Sequence, residues 1–162
     1  MTRNILLASL GLLIAGLLAI QLVPYRPHNP VVRQGPVWDS AETEALARRA
    51  CFDCHSNEVV VPWYGHVAPF SWAVRMHVDE ARTMLNFSEM DRKQEEAHEA
   101  GEEVGEGEMP PLYYVLLHPE ANLTDAERRQ LEAGLIATLG GEESEGSHSE
   151  GRHDRDVDDD DD

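Results

Sequence analysis

The apolar positions of this chain fall into a few distinct patterns. Residues 5 to 23, ILLASLGLLIAGLLAIQLV, carry no charge. As a helix that run spans roughly 28 Å, close to the ~30 Å hydrocarbon core of a bilayer. In DSAETEALARRA, Asp39 or Ser40 caps a short helix with Ala41, Leu46 and Ala50 along it. In FSWAVRMHVDEARTML, Phe70, Val74, His77, Ala81 and Met84 recur at helical spacing and form one apolar face. SEMDRKQEEAHEA opens at Ser88 with Asp91 three residues on, and its polarity predicts a surface helix. TDAERRQLEAGLIATLGG opens with Thr124 and Glu127 as a capping box. It sets Leu131, Leu135 and Leu139 on one stripe and stops at Gly140. Nothing alternates as a strand should, and EVVVPWY is short and broken by Pro62. The fold class predicted is mainly α, with a thin core that needs something else to fill it.

These patterns divide the chain into an N-terminal transmembrane anchor (1–24), a proline-rich spacer (25–36), a helical domain (37–140) and an acidic tail (141–162). A cleaved signal peptide usually has a shorter apolar run and a small-x-small site at its end. Here the run ends AIQLVPYRP, which favours a retained anchor. Arg3 stands on one side of it and Arg26 and Arg33 on the other, so local charge does not orient it. The prolines of the spacer predict an extended segment holding the domain a short distance off the membrane.

Charge narrows the function. The formal net charge is −18, which argues against nucleic acid as a partner. The tail holds eleven acids against Arg152 and Arg155, a net −9, and is expected to be solvated and without a core. His148 and His153 within it offer at most weak metal binding.

The candidate chemistry lies in RRACFDCHSNE. Cys51 and Cys54 are the only cysteines, two residues apart, with His55 directly after. Cys-x-x-Cys-His is the attachment signature of c-type haem. Two thiols one helical turn apart match the two vinyl groups on one edge of a porphyrin, and the next residue places an imidazole beneath the iron. A thioredoxin-like redox pair expects a βαβ context, which is missing. A zinc site needs further ligands at paired spacing, and no third cysteine exists. The cofactor predicted is one covalently attached haem on Cys51 and Cys54, with His55 the proximal iron ligand.

Further pieces lie downstream: Cys-x-x-Cys-His-Ser-Asn, Pro-Trp-Tyr, Ala-Pro-x-Ser-Trp, Leu-Asn-Phe-Ser, Gly-Glu-Met-Pro and Leu-Leu-His-Pro. Together they resemble the haem-binding domains of bacterial monohaem c-type cytochromes, over roughly residues 37 to 139. The resemblance implies covalent haem and an electron-transfer or haem-binding role. It names no redox partner, and nothing carries over to the acidic stretch 92–107.

For the far side of the iron the candidates are Met109, His77, His66, His118, Met76, Met84 and Met90. Met109 stands in GEGEMPP, a glycine-rich approach followed by a stiff exit, fifty-four residues after His55. Cytochromes c resemble this in placing a methionine ligand in a late loop beside proline, so Met109 is the expected distal ligand. His77 is the alternative because it lies on the apolar face of its helix, where a histidine is otherwise a core residue. Trp63, Tyr64, Trp72, Tyr113 and Tyr114 would pack around the macrocycle or bond its propionates. The expectation is a small cytochrome c-like helical domain on a membrane helix. It would carry electrons rather than act as an enzyme, with the domain on the periplasmic side of the cytoplasmic membrane. Redox proteins in or near the membrane would be its partners. A ligand sensor or peroxidase-like protein, and a haem subunit of a respiratory complex, are the alternatives.

Overall fold

The computed structural model describes residues 2 to 140. The acidic tail lies outside the described residues. Seven α-helices follow one another: α1 (Thr2–Ile20), α2 (Ala41–Ala50), α3 (Phe52–His55), α4 (Phe70–Met84), α5 (Ala100–Glu106), α6 (Leu112–Val115) and α7 (Asp125–Leu139). Short 3-10 turns fill some of the gaps. Among the described residues there is no strand, only a single bridge between Gln34 and Glu89. The chain is mainly helical, as its patterns predict.

Helix α7 begins where its capping box places it. The Thr124 hydroxyl accepts from the Glu127 amide, and the Glu127 carboxylate accepts from the Thr124 amide at 2.8 Å. Leu131, Leu135 and Leu139 are all buried. Helix α2 is capped by Ser40, not Asp39: the Ser40 hydroxyl accepts from the Thr43 amide at 3.1 Å. Acids in its first turn and Arg48 and Arg49 in its last complement the helix dipole. Its buried side is Thr43, Leu46, Ala47 and Ala50, whereas Ala41 is exposed. The two helices approach closely at Gly134, where an added Cβ would stand 2.0 Å from the Thr43 hydroxyl.

An aromatic group shares one buried core with the leucines of these helices. Phe52 and Phe87 stack with centroids 5.4 Å apart, and Trp38 tilts against Phe87 at 5.3 Å. Phe52 sits between the two cysteines, so the motif is fixed from within by its own apolar residue.

The helix expected from Ser88 does not form. Residues 85 to 96 make an irregular loop whose polar side chains point inward. The Ser88 hydroxyl accepts from the Asn57 amide, Asn86 donates to the Asn57 side chain, and Gln94 accepts from the Asn86 amide. Asn57, Asn86, Ser88 and Gln94 are all buried. Such a satisfied network outcompetes a helix whose faces have nothing apolar to bury. Helix α5 starts later, buries Gly101 and Val104 against α7, and ends at Gly107 with φ +84°.

Helix α1 is long and apolar enough to cross a membrane, and none of its residues is buried. The proline-rich segment after it is extended and runs along the domain. Asn29 pairs with both backbone groups of Val59, at 2.9 and 3.0 Å. Arg82 donates to the His28 carbonyl, Asn57 to the Val31 carbonyl, and the amides of Arg33 and Gln34 to the Ser88 carbonyl.

Candidate functional site

Cys51 ends α2, its amide donating to the Ala47 carbonyl at 2.8 Å. The chain then makes the single turn of α3, in which the amides of Cys54 and His55 both donate to the Cys51 carbonyl. This turn sets the two sulfurs and the imidazole. Both cysteines are free thiols. Burial pushes Cys51 up to about 12, helped by Cys54, and Cys54 up to about 11, helped by Asp53. They remain protonated thiols near neutrality.

His55 is oriented by α4. Its Nδ1 lies 3.1 Å from the carbonyl oxygens of Ala81 and Leu85. A carbonyl only accepts, so Nδ1 carries the proton and the lone pair remains on Nε2. Burial pushes the imidazole pKa down, against the pull of those two carbonyls, which keeps it neutral. A neutral imidazole with its second nitrogen tied to the backbone is the form that binds a metal.

Beside this turn opens an apolar cleft of about 290 Å³. One wall carries Cys54, Val59 and Pro62, and the next carries Phe70, Val74, His77 and Val78 of α4. The third is Pro111, Tyr113, Tyr114 and Leu117. The apolar face of α4 expected from sequence is therefore real in part, but Phe70, Val74 and His77 line the cleft. The side chains α4 buries in protein are Ser71, Val78 and Arg82.

A polar cluster closes one end of the cleft. The Tyr114 hydroxyl donates to Asp53 at 2.8 Å, and the Tyr114 ring stacks on His118 with centroids 4.2 Å apart. His118 Nδ1 faces Glu120 at 3.2 Å and so donates, while Nε2 accepts from the Tyr64 hydroxyl at 2.8 Å. Burial, then the bond to Asp53, raises the Tyr114 pKa. Sequence reading weighed His118 only as an iron ligand and missed Asp53. The Leu-Leu-His-Pro run and the residue between the cysteines were the available signals.

The other predicted residues are scattered. His77 lies in the cleft wall, its ring 5.8 Å from Tyr113. Met109 is exposed and stands outside the wall, its amide bonded to the Glu103 carbonyl at 3.1 Å; Pro111, two residues on, is in the wall. His66 and Met76 are exposed outside the wall, and Met90 packs against the aromatic core. Met84 is half-buried outside the wall. Trp63 is exposed, and the buried Trp72 indole N–H has no acceptor among the described residues.

The residues present fit a haem. Two protonated thiols one turn apart, a neutral imidazole with Nε2 open, and an adjoining apolar cleft with a polar end are the donor set it takes. Among the described residues no three His, Cys, Asp or Glu gather to hold a bare metal ion. No curated protein and no solved structure matches the chain. The family model of the haem-binding domain matches residues 15–136, three quarters of the chain and more than the stretch the motifs cover. This chain belongs to the haem-binding domain family.

Proposed function

We propose that this haem-binding chain is a membrane-anchored monohaem c-type cytochrome that passes single electrons at the outer face of the cytoplasmic membrane. The observation that carries this reading is the His55 imidazole, fixed by the carbonyls of Ala81 and Leu85 with Nε2 open, directly after two free thiols one turn apart. Cys51 and Cys54 would hold the haem by thioethers and His55 would bind its iron. When bound, the haem supplies a one-electron centre, and the surrounding residues supply its setting. Phe52 locks the motif into the core, the walls of the cleft exclude water, and Tyr64, Tyr114 and His118 provide polar groups at one end.

The anchor is supported by the segment that follows α1. Gln21, within the apolar run that cleavage would remove, bonds both backbone groups of Ala68 in the domain, and the family match begins at residue 15, inside the apolar helix. The domain then lies on the side where haem is attached, which puts the N-terminus in the cytoplasm. Redox proteins in or near the membrane are its partners, a respiratory complex among them.

Met109 is the distal ligand in this reading. His77 is carried by α4, the helix whose carbonyls hold His55, so it belongs to the proximal side of the site. Met109 stands outside the cleft wall, in the segment that leads to Pro111, which is part of it. Met109→Ala should abolish the weak red ferric band of sulfur ligation, lower the potential and admit carbon monoxide, whereas His77→Ala should leave the band intact. The reverse pattern would assign the iron to His77.

A second reading has its own support. Met109 is not in the cleft wall, while the Tyr64–His118 pair is. That pair suits a sensor or peroxidase-like protein with an open sixth position. Carbon monoxide binding to the unmodified ferrous protein would favour it over electron transfer.

A further inference from the structure

Gln21, the first residue after α1, clasps the haem domain. Its side-chain amide accepts from the Ala68 N–H at 2.9 Å and donates to the Ala68 carbonyl at 3.0 Å, while also donating to the Leu17 carbonyl. Both backbone groups of one residue are taken by one side chain across forty-seven positions of sequence. Ala68 is next to Val67 and two residues before Phe70, so both Cα atoms lie within ~7 Å of it. Phe70 begins α4 and lines the cleft. The end of the apolar helix is therefore fixed beside the lip of the cleft.

That lip is apolar and exposed. Trp63 is 80% exposed, Phe70 61% and Val67 44%, and Leu22, Val23 and Tyr25 are exposed on the other side of the clasp. Its charge is unlike that of the rest of the chain. The protein has 31 acids, yet none precedes Asp39 and none falls between Glu58 and Asp79. The clasp joins those two acid-free segments. The charges they carry are Arg3, Arg26, Arg33 and Arg75. The Arg75 guanidinium lies 5.5 Å from the Tyr25 ring centroid, donates to the Arg26 carbonyl and pairs with Asp79. Exposed aromatic and aliphatic side chains with arginines, on segments that carry no acid of their own and at the end of a membrane-length helix, are what the interfacial layer of an anionic bilayer accepts.

We infer that the lip formed by Trp63, Val67 and Phe70, with Tyr25 beside it, rests in the headgroup layer of the membrane, so that the cleft opens at the bilayer surface. This rests on the reading of α1 as a retained anchor. The lip, whose own segments carry no acid, faces the lipid.

The test uses the full-length holoprotein in vesicles of phosphatidylcholine and phosphatidylglycerol that contain a lipid with a photoreactive diazirine in its acyl chain. After illumination, lipid adducts are mapped by peptide mass spectrometry. Adducts on α1 and on the peptide spanning residues 63 to 70, with none on α7, are expected. Val67→Glu and Trp63→Ser, neither of which lines the cleft, should each reduce the adducts on 63–70 severalfold and leave those on α1 unchanged. Adducts confined to α1 would overturn the docked lip while leaving the anchor in place. No adducts on α1 would overturn the anchor itself, and the docked lip with it.

Discussion

His55 and Leu85 are thirty residues apart, and the ring Nδ1 of the first lies 3.1 Å from the carbonyl oxygen of the second. The Ala81 carbonyl lies at the same distance. Two acceptors, one from the last turn of α4 and one from the residue that caps it, thus hold one imidazole in one tautomer. If the hydrogen bond is what positions the ring, a ligand without that N–H is held less well. In His55→Gly with haem attached, imidazole and 4-methylimidazole should restore low-spin iron. 1-Methylimidazole should bind roughly fivefold more weakly, the equivalent of about 1 kcal/mol. Equal binding of all three, read by optical titration, would show that the carbonyls contribute nothing.

Phe52 connects attachment to folding. It stacks on Phe87 at 5.4 Å from a position between the two cysteines. Phe52→Ala should cost about 3 to 5 kcal/mol by leaving a cavity in the core. A lower thermal midpoint and a smaller yield of haem-loaded protein are expected; Phe52→Leu should recover most of both.

The close approach of α2 and α7 is a second stability test. A Cβ at Gly134 would meet the Thr43 hydroxyl at 2.0 Å and its methyl at 2.6 Å. Gly134→Ala should destabilise by about 1 to 3 kcal/mol. Thr43→Ala removes the two nearest clashing atoms and leaves only its own Cβ, at 2.8 Å, so the double variant should be more stable than the sum of the single effects implies. Strict additivity in chemical denaturation would contradict the contact.

Glu127 makes the acid limb of stability local. Its hydrogen bond to the Thr124 amide, then those to the Arg49 and Thr124 side chains, lower its pKa from 4.5 to about 2. A carboxylate depressed in the folded state stabilises the fold above its ordinary pKa, and the benefit is lost as pH falls through the depressed one. The midpoint gap between the unmodified protein and Glu127→Gln should be constant above about pH 4.5 and close toward pH 2. A gap independent of pH would assign the effect to packing.

The parts of this fold legible in sequence are those that local chemistry determines. Thr124 and Glu127 cap α7 from three residues apart, and the Cys-x-x-Cys-His turn needs only its own five residues. What was not legible depends on long separations. The loop after Leu85 looks like a polar helix until Asn57, about thirty residues upstream, joins Asn86 and Ser88. Tyr114 reaches Asp53 across sixty-one positions, which no spacing pattern announces. The face of α4 was legible as apolar but the cleft it lines was not, because periodicity reports that a face is apolar and not what covers it. The same limit hid the binding of the proline-rich segment, whose partners are backbone groups of Val59 and Ser88.

The central claim is that Cys51 and Cys54 carry one haem covalently with His55 on its iron. The most direct measurement is the intact mass of protein matured in a host with haem-attachment machinery, taken after acid–acetone extraction. The account predicts a mass greater than the polypeptide by one haem, with nothing coloured in the extract. A bare polypeptide mass with the haem in the acetone phase would contradict it.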